Sequence, residues 1–408
     1  MNQQHKQSII AIALITAICL AGDSMLYIVL PTHWRSVGLT SLMQVGIILS
    51  VNRFVRLPLN PLIGYIYKKV SFRNLILFAV LLSGLTTLGY GFVKDYPIWI
   101  LLRSIWGLAW SLFKLGAYLL VLEYSTDANR GNLMGTYNGL YRLGSLFGML
   151  LGGLLADLFG MKLIALILGS MVFLSIPLVF KYLPKTIQTE QGIKPPAQTW
   201  FTWLKPFHNK MFLKILITAF LLSMLLDGML TATLSHIIEG KFTNQIHLFG
   251  FMVGAATLSG VMQALRWGIT PFLTPKIGSI FDRAKQKNMV LVLFLVNASI
   301  FLFLIPFPLK LVLWLPVLLA HLLVASVITT VLDGVSTDYA SNMTNRLLLM
   351  TIYTIVLDLG AALGPVIGYR LEQQLGLSNL FWLASAICLI LMISWAIPHK
   401  GQLRQNIM

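Results

Sequence analysis

Nine ionisable residues stand in the middle of apolar stretches of this chain: Asp23, Arg53, Arg56, Arg103, Lys114, Arg142, Asp227, Arg266 and Asp358. Three are acids and six are bases. The proton occupancy of a carboxylate away from water depends on what surrounds it, since burial favours the neutral form and a nearby arginine the charged one. Asp23, Asp227 and Asp358 are therefore candidates for reversible protonation, with Asp23 first. His321 joins them because imidazole titrates near neutral pH. A permanent ion pair that fixes neighbouring helices is the alternative role for each acid.

The bases fall into patterns. Arg53, Arg56 and Asn60 are spaced i, i+3, i+7 and share one helical face, as do Arg103, Gly107, Trp110, Lys114 and Tyr118. Cations mixed with aromatic surface make a wall that neutralises an anion and stacks against an apolar body. Arg142 and Arg266 extend this set of substrate-binding candidates. The alternative, aromatics as packing and cations paired inside the protein, stays open from sequence. No HExxH, phosphate-binding loop or paired-cysteine motif occurs, so no enzymatic activity, metal or cofactor is expected.

The elements that carry these residues follow from composition. Of 408 residues 57% are hydrophobic and only 11% are charged, with a mean hydropathy of +0.81. Soluble domains carry about 25% charged residues, so this chain is a membrane protein. Apolar runs predict twelve transmembrane helices, centred near residues 20, 54, 83, 109, 144, 172, 224, 260, 297, 322, 358 and 387. Nine lipid-facing charges would cost on the order of 25 kcal/mol, at about 3 kcal/mol each. They must face one another or water instead. Spans three, six, nine and twelve lack interior charges and are expected as the outer scaffold, with the other eight enclosing a cavity. Cys19 and Cys388 both fall inside spans and are read as packing residues.

The net charge of +17 has its account in the connections. Lysine and arginine concentrate in alternate loops, such as those holding Lys68, Lys69 and Arg73 or Arg283, Lys285 and Lys287. By the positive-inside rule both termini are cytoplasmic, in a multi-pass plasma-membrane protein.

The chain also repeats itself. Arg142 to Gly153 reads RLGSLFGMLLGG, and Asp358 to Gly368 reads DLGAALGPVIG. Gly144, Gly148 and Gly152 match Gly360, Gly364 and Gly368 at four-residue spacing, with Gly153 and Pro365 beside them. Such stripes let another helix approach backbone to backbone. Asp23-Ser-Met-Leu likewise matches Asp227-Gly-Met-Leu. A duplicated six-helix unit is predicted: an N-terminal bundle over residues 1–182, a cytoplasmic linker over 183–210 and a C-terminal bundle over 211–408.

With these features the chain resembles the major facilitator superfamily (MFS) of secondary transporters, over essentially its whole length. Gly278-Ser-Ile-Phe-Asp282-Arg283-Ala-Lys-Gln-Lys287 resembles that family's inside-loop motif, whereas after span two Lys68 stands where the family usually has aspartate. Arg103-Ser-Ile-Trp-Gly107 resembles its buried-arginine motif, and Gly144 through Gly153 is similar to its antiporter glycine motif, with Met149 in place of the usual proline. The resemblance implies an all-α fold of two pseudo-symmetric six-helix bundles working by alternating access. It also implies latch roles for Gly278, Asp282 and Arg283, and the same for Glu123 and Asp338 at inner helix ends. The expected function is proton-coupled export, by antiport, of a small anionic organic molecule, and the overall look resembles exporters of opine-type metallophores. Its partners would be that substrate, protons and the bilayer, with no nucleic acid, and the functional unit would be a monomer. The alternatives are proton-coupled uptake of an organic or phosphorylated anion, and a non-transporting receptor on the same fold.

Overall fold

The computed structural model describes residues 3–125, 130–187, 209–242, 246–248, 251–284, 286–341, 343 and 346–397. The long helices are α1 (Gln3–His33), α2 (Leu42–Ile66), α3 (Phe72–Gly89), α4 (Tyr96–Tyr124), α5 (Arg130–Phe159) and α6 (Met161–Tyr182). They continue with α7 (Lys210–Phe242), α8 (Ala255–Arg283), α9 (Lys287–Leu304), α10 (Leu311–Ser341), α11 (Arg346–Leu375) and α12 (Leu377–Ala396). Among the described residues eleven of these are long and apolar enough to cross a membrane. The twelfth, α8, has 29 residues, ample for a span, but carries Arg266, Lys276, Asp282 and Arg283 along its length. A two-stranded hairpin, β1 (Ile246–Leu248) with β2 (Phe251–Val253), interrupts the helical pattern between α7 and α8.

Local chemistry sets several helix ends. The Ser41 hydroxyl accepts a hydrogen bond from the Gln44 amide at the start of α2, and the Asn209 side chain accepts from Met211 and Phe212 at the start of α7. Gly160, at φ 81°, is the single residue between α5 and α6, and Gly376, at φ 79°, is the single residue between α11 and α12. A left-handed backbone is open to glycine without steric cost. The two turns lie 216 residues apart, the same offset as the glycine stripes, so the duplication is visible in the backbone as well as in the sequence.

Those stripes pack equivalent helix pairs. A Cβ at Gly144 or Gly148 would overlap the carbonyl oxygens of Ala17 or Ala21, and one at Gly152 would meet Met25, so α1 lies directly on α5. In the second copy Gly360 faces Phe220 and Ser223, while Gly364 faces Met224 and Gly228, so α7 lies on α11. Gly368 is buried on the same helix. The helices without interior charges also pair: Gly84 packs against Phe173 between α3 and α6, and Ser299 and Ser385 hydrogen-bond at 2.8 Å between α9 and α12. These four helices expose many large apolar side chains, among them Leu85, Leu174, Leu293 and Ile390. That surface suits lipid, as the scaffold reading expects.

The chain forms two compact units. The first comprises Met1–Ala197 together with Thr231–Trp267, the second Gln198–Leu230 together with Gly268–Met408. The unit boundaries thus run through α7 and α8. Cys19 and Cys388 are buried free thiols, one in each unit.

Candidate functional site

In the first unit the deepest polar contact joins three helices. Arg103 on α4, with 0% of its surface exposed, pairs through Nη1 with Asp23 on α1. Its Nε donates to the Ile48 carbonyl of α2 at 3.0 Å, and Asn52 Nδ2 donates to Asp23 at 3.4 Å. Gly107 makes the approach possible, because a Cβ there would sit 2.6 Å from the Asn52 carbonyl oxygen. Arg103 and Asp23 are thereby committed to each other. The other basic residues of these helices are more open: Arg53, Arg56 and Lys114 are half-buried, and Arg142 is exposed. Among the described residues neither Lys114 nor Arg142 has an acidic partner.

Next to this pair stands a ladder of aromatic rings. Trp106, Trp110, Lys114 and Tyr118 follow one another at four-residue steps on one face of α4, rising about 6 Å per step. The facing helix α5 supplies Tyr137 and Tyr141. Ring centroids lie 6.1 Å apart for Trp106 and Trp110, 5.7 Å for Trp110 and Tyr141, 5.1 Å for Tyr137 and Tyr141, and 6.3 Å for Tyr118 and Tyr137. None of the four contacts is a face-to-face stack. The indole N–H groups of Trp106 and Trp110 are buried and have no acceptor among the described residues. Sequence spacing placed Trp110, Lys114 and Tyr118 together. Tyr137 and Tyr141 were not singled out, although their i, i+4 spacing ahead of the Gly144 stripe is a usable signal.

A third feature is an antiparallel seam between α5 and α8, within the same unit. Gly153 approaches the backbone of Ala256 and Thr257, and Gly260 approaches that of Met149. The Asp157 carboxylate accepts the Thr257 amide at 2.7 Å and the Thr257 hydroxyl at 2.6 Å, so it caps the start of α8 from another helix. At the far end the guanidinium groups of Arg142 and Arg266 lie 5.3 and 5.0 Å from the Trp267 ring. Paired positions along the seam sum to about 409, the signature of two helices running past each other in opposite directions. Arg142 and Arg266, both among the substrate-binding candidates of the sequence, thus converge on one indole. Asp157, near the end of α5, and Trp267, in the middle of α8, have no partner suggested by spacing.

In the second unit Asp227 lies half-buried in a π-helical stretch of α7, Ser223–Met229. Asp358 is half-buried on α11, and His321 is fully buried on α10. Of the latch candidates, Asp338 receives Lys287 Nζ at 2.5 Å, joining the start of α9 to the end of α10. Arg283 and Glu123 are exposed, Gly278 is half-buried with open space beside its Cα, and the Asp282 side chain lies outside the described residues. Tyr353 donates a 2.6 Å hydrogen bond to Asp333, a contact between α11 and α10 that the charge survey passed over.

Comparison with known proteins agrees with this architecture. The sequence matches the family model described as Major Facilitator Superfamily over residues 12–343. It is 23% identical over 350 residues to the multi-drug resistance efflux pump PmrA of Streptococcus pneumoniae, covering 84% of this chain and 82% of that protein. It is 22% identical over 383 residues to the multidrug resistance protein MdtG of Salmonella choleraesuis, covering 92% and 91%. Among solved structures, a bacterial homologue of the human lysosomal transporter Spinster superposes with a TM-score of 0.76 at 14% identity, over 97% of this chain and 96% of that one. This last likeness is one of fold.

Proposed function

The chain belongs to the Major Facilitator Superfamily, and from that premise we propose that this membrane transporter exports a small organic anion in exchange for protons. One observation carries the anion reading. Asp23 is committed to Arg103, while Lys114 and Arg142 have no acidic partner among the described residues. An unneutralised cation in a span costs about 2.5 to 3.5 kcal/mol on insertion scales, and arginine does not readily shed its proton. A bound anion removes that cost. A polycarboxylate of the opine metallophore type belongs to the chemical class that fits. Export is favoured by the glycine stripe of α5 and by the similarity to a protein named as a multi-drug resistance efflux pump.

In this reading the bundles over residues 1–182 and 211–408 rock about the bound anion, joined by the cytoplasmic linker 183–210, with both termini cytoplasmic. The working unit is a monomer in the plasma membrane, and the acids of the spans carry the coupling protons. The test is flux into proteoliposomes under an imposed pH gradient, with citrate, 2-naphthoate, glucose and tetraphenylphosphonium as probes. Antiport predicts that an acidic interior drives uphill accumulation of an anionic probe, whereas uptake by symport requires the opposite gradient. Transport confined to glucose or the phosphonium cation, unaffected by Lys114→Gln and Arg142→Gln, would sink the anion reading.

A further inference from the structure

The aromatic ladder on α4 and α5 carries two indole donors and a lysine on one face of α4. An indole N–H only donates, and a buried donor without an acceptor costs about 1 to 3 kcal/mol. Trp106 and Trp110 each present such a donor on the same face as Lys114. The Lys114 ammonium has neither a carboxylate nor an aromatic ring against it among the described residues. The two indole N–H groups and the Lys114 ammonium therefore ask for the same thing, an acceptor. The rings around them supply flat apolar surface, and none of the four contacts is a face-to-face stack. Trp110, Lys114, Tyr118 and Tyr141 are half-buried, so the face is open in part.

We propose that this face is a binding site for an aromatic carboxylate, with the carboxylate taken by Lys114 and the Trp110 N–H, one helical turn apart, and the ring lying against Trp110 and Tyr141. The proposal rests on the anion-export reading and narrows it to one substrate class. A purely cationic aromatic ligand would match the rings, but it would leave both indole donors unpaired and place its charge beside Lys114. The positive charge of Lys114 selects against that ligand, and the aromatic surface selects against aliphatic acids.

The test is equilibrium binding to the purified full-length protein in nanodiscs. Three probes share size but differ in one property each: 2-naphthoate, decahydro-2-naphthoate and 2-naphthyltrimethylammonium. The expected order is 2-naphthoate first, with the saturated acid weaker by about 3- to 10-fold and the cation weakest. Lys114→Gln should weaken 2-naphthoate by about 10-fold or more and Lys114→Arg should restore most of it. Trp110→Leu should bring 2-naphthoate down to the level of its saturated analogue while leaving the latter little changed. Equal binding of the two acids, preference for the cation, indifference to Lys114→Gln, or no binding of any probe overturns the proposal. Proton-driven flux is measured on the same preparations. Binding as expected without pH-driven flux refutes the coupling reading and upholds the site, whereas driven 2-naphthoate flux unchanged by Trp110→Leu refutes the site and upholds the coupling.

Discussion

The pair between Asp23 and Arg103 offers the sharpest energetic prediction. Removing one member of a buried ion pair costs about 3 to 5 kcal/mol, because the other charge stays behind without its counterpart. Arg103 has 0% side-chain exposure and Asp23 10%, so water compensates neither. In Arg103→Met the donor left to Asp23 among the described residues is Asn52 Nδ2 at 3.4 Å, too long to replace a guanidinium. Arg103→Met should therefore lose the full amount, and Asp23→Asn should lose about as much by stranding Arg103. The double change Asp23→Leu with Arg103→Met removes both charges and should recover most of it, giving a coupling energy of about 3 kcal/mol or more. Cys19 is buried and free in the same unit, so a thiol-reactive dye reports when this unit opens on heating. Replacing Cys388 by alanine restricts the signal to Cys19. At about 2 to 4 °C per kcal/mol for a unit of this size, each single change should lower the midpoint by about 6 to 20 °C. If the double variant is no more stable than the singles, the pair is not the element that holds α1, α2 and α4 together.

Three further outcomes are expected. Single cysteines at positions 94 and 194, treated in intact cells with an impermeant thiol reagent, should label at 94 and not at 194, and the reverse pattern would invert the topology drawn from loop charge. Gly148→Leu should push α1 from α5 against the Ala21 carbonyl and lower the Cys19 midpoint by an amount equivalent to at least 1 to 3 kcal/mol, whereas Leu146→Ala, off the stripe, should not. Asp227→Asn should abolish pH-driven uphill flux while preserving substrate exchange, and wild-type uphill rates in that variant would make Asp227 structural.

Much of the fold was legible because the bilayer imposes simple rules. Length of apolar run gave the helices, and charge exclusion singled out α3, α6, α9 and α12, which pack as the pairs α3 with α6 and α9 with α12. Glycine spacing gave the α1 to α5 and α7 to α11 contacts without naming the partner helix, since a stripe says that a backbone comes close but not which one. Site residues were legible where neighbours in space share a helix face, as Trp110, Lys114 and Tyr118 do. Contacts between helices distant in sequence were not: Arg103 looked like a member of the anion wall, and only its reach to Asp23 and Ile48 shows it turned toward α1 and α2. Asp157 illustrates the same limit, for its partner Thr257 is 100 residues away.

The duplication itself explains why the two acids of α1 and α7 cannot be equivalent. Gly144 and Gly148 meet Ala17 and Ala21, and their counterparts Gly360 and Gly364 meet Phe220 and Met224, which sets an offset of 203 between α1 and α7. Asp23 and Asp227 differ by 204. One extra residue therefore lies in α7 between the glycine contact and the acid. A helix absorbs such a residue by widening one turn to i→i+5 bonding, and the π-helical stretch Ser223–Met229 stands at that place. The widened turn absorbs the extra residue, and Asp227 lies within it, whereas Asp23 lies in regular α-helix. Asp23 is held by a fully buried arginine, whereas Asp227 sits half-buried in the widened turn. On the proton-coupling proposal the exchanging acid needs access, and of the two Asp227 is the more accessible.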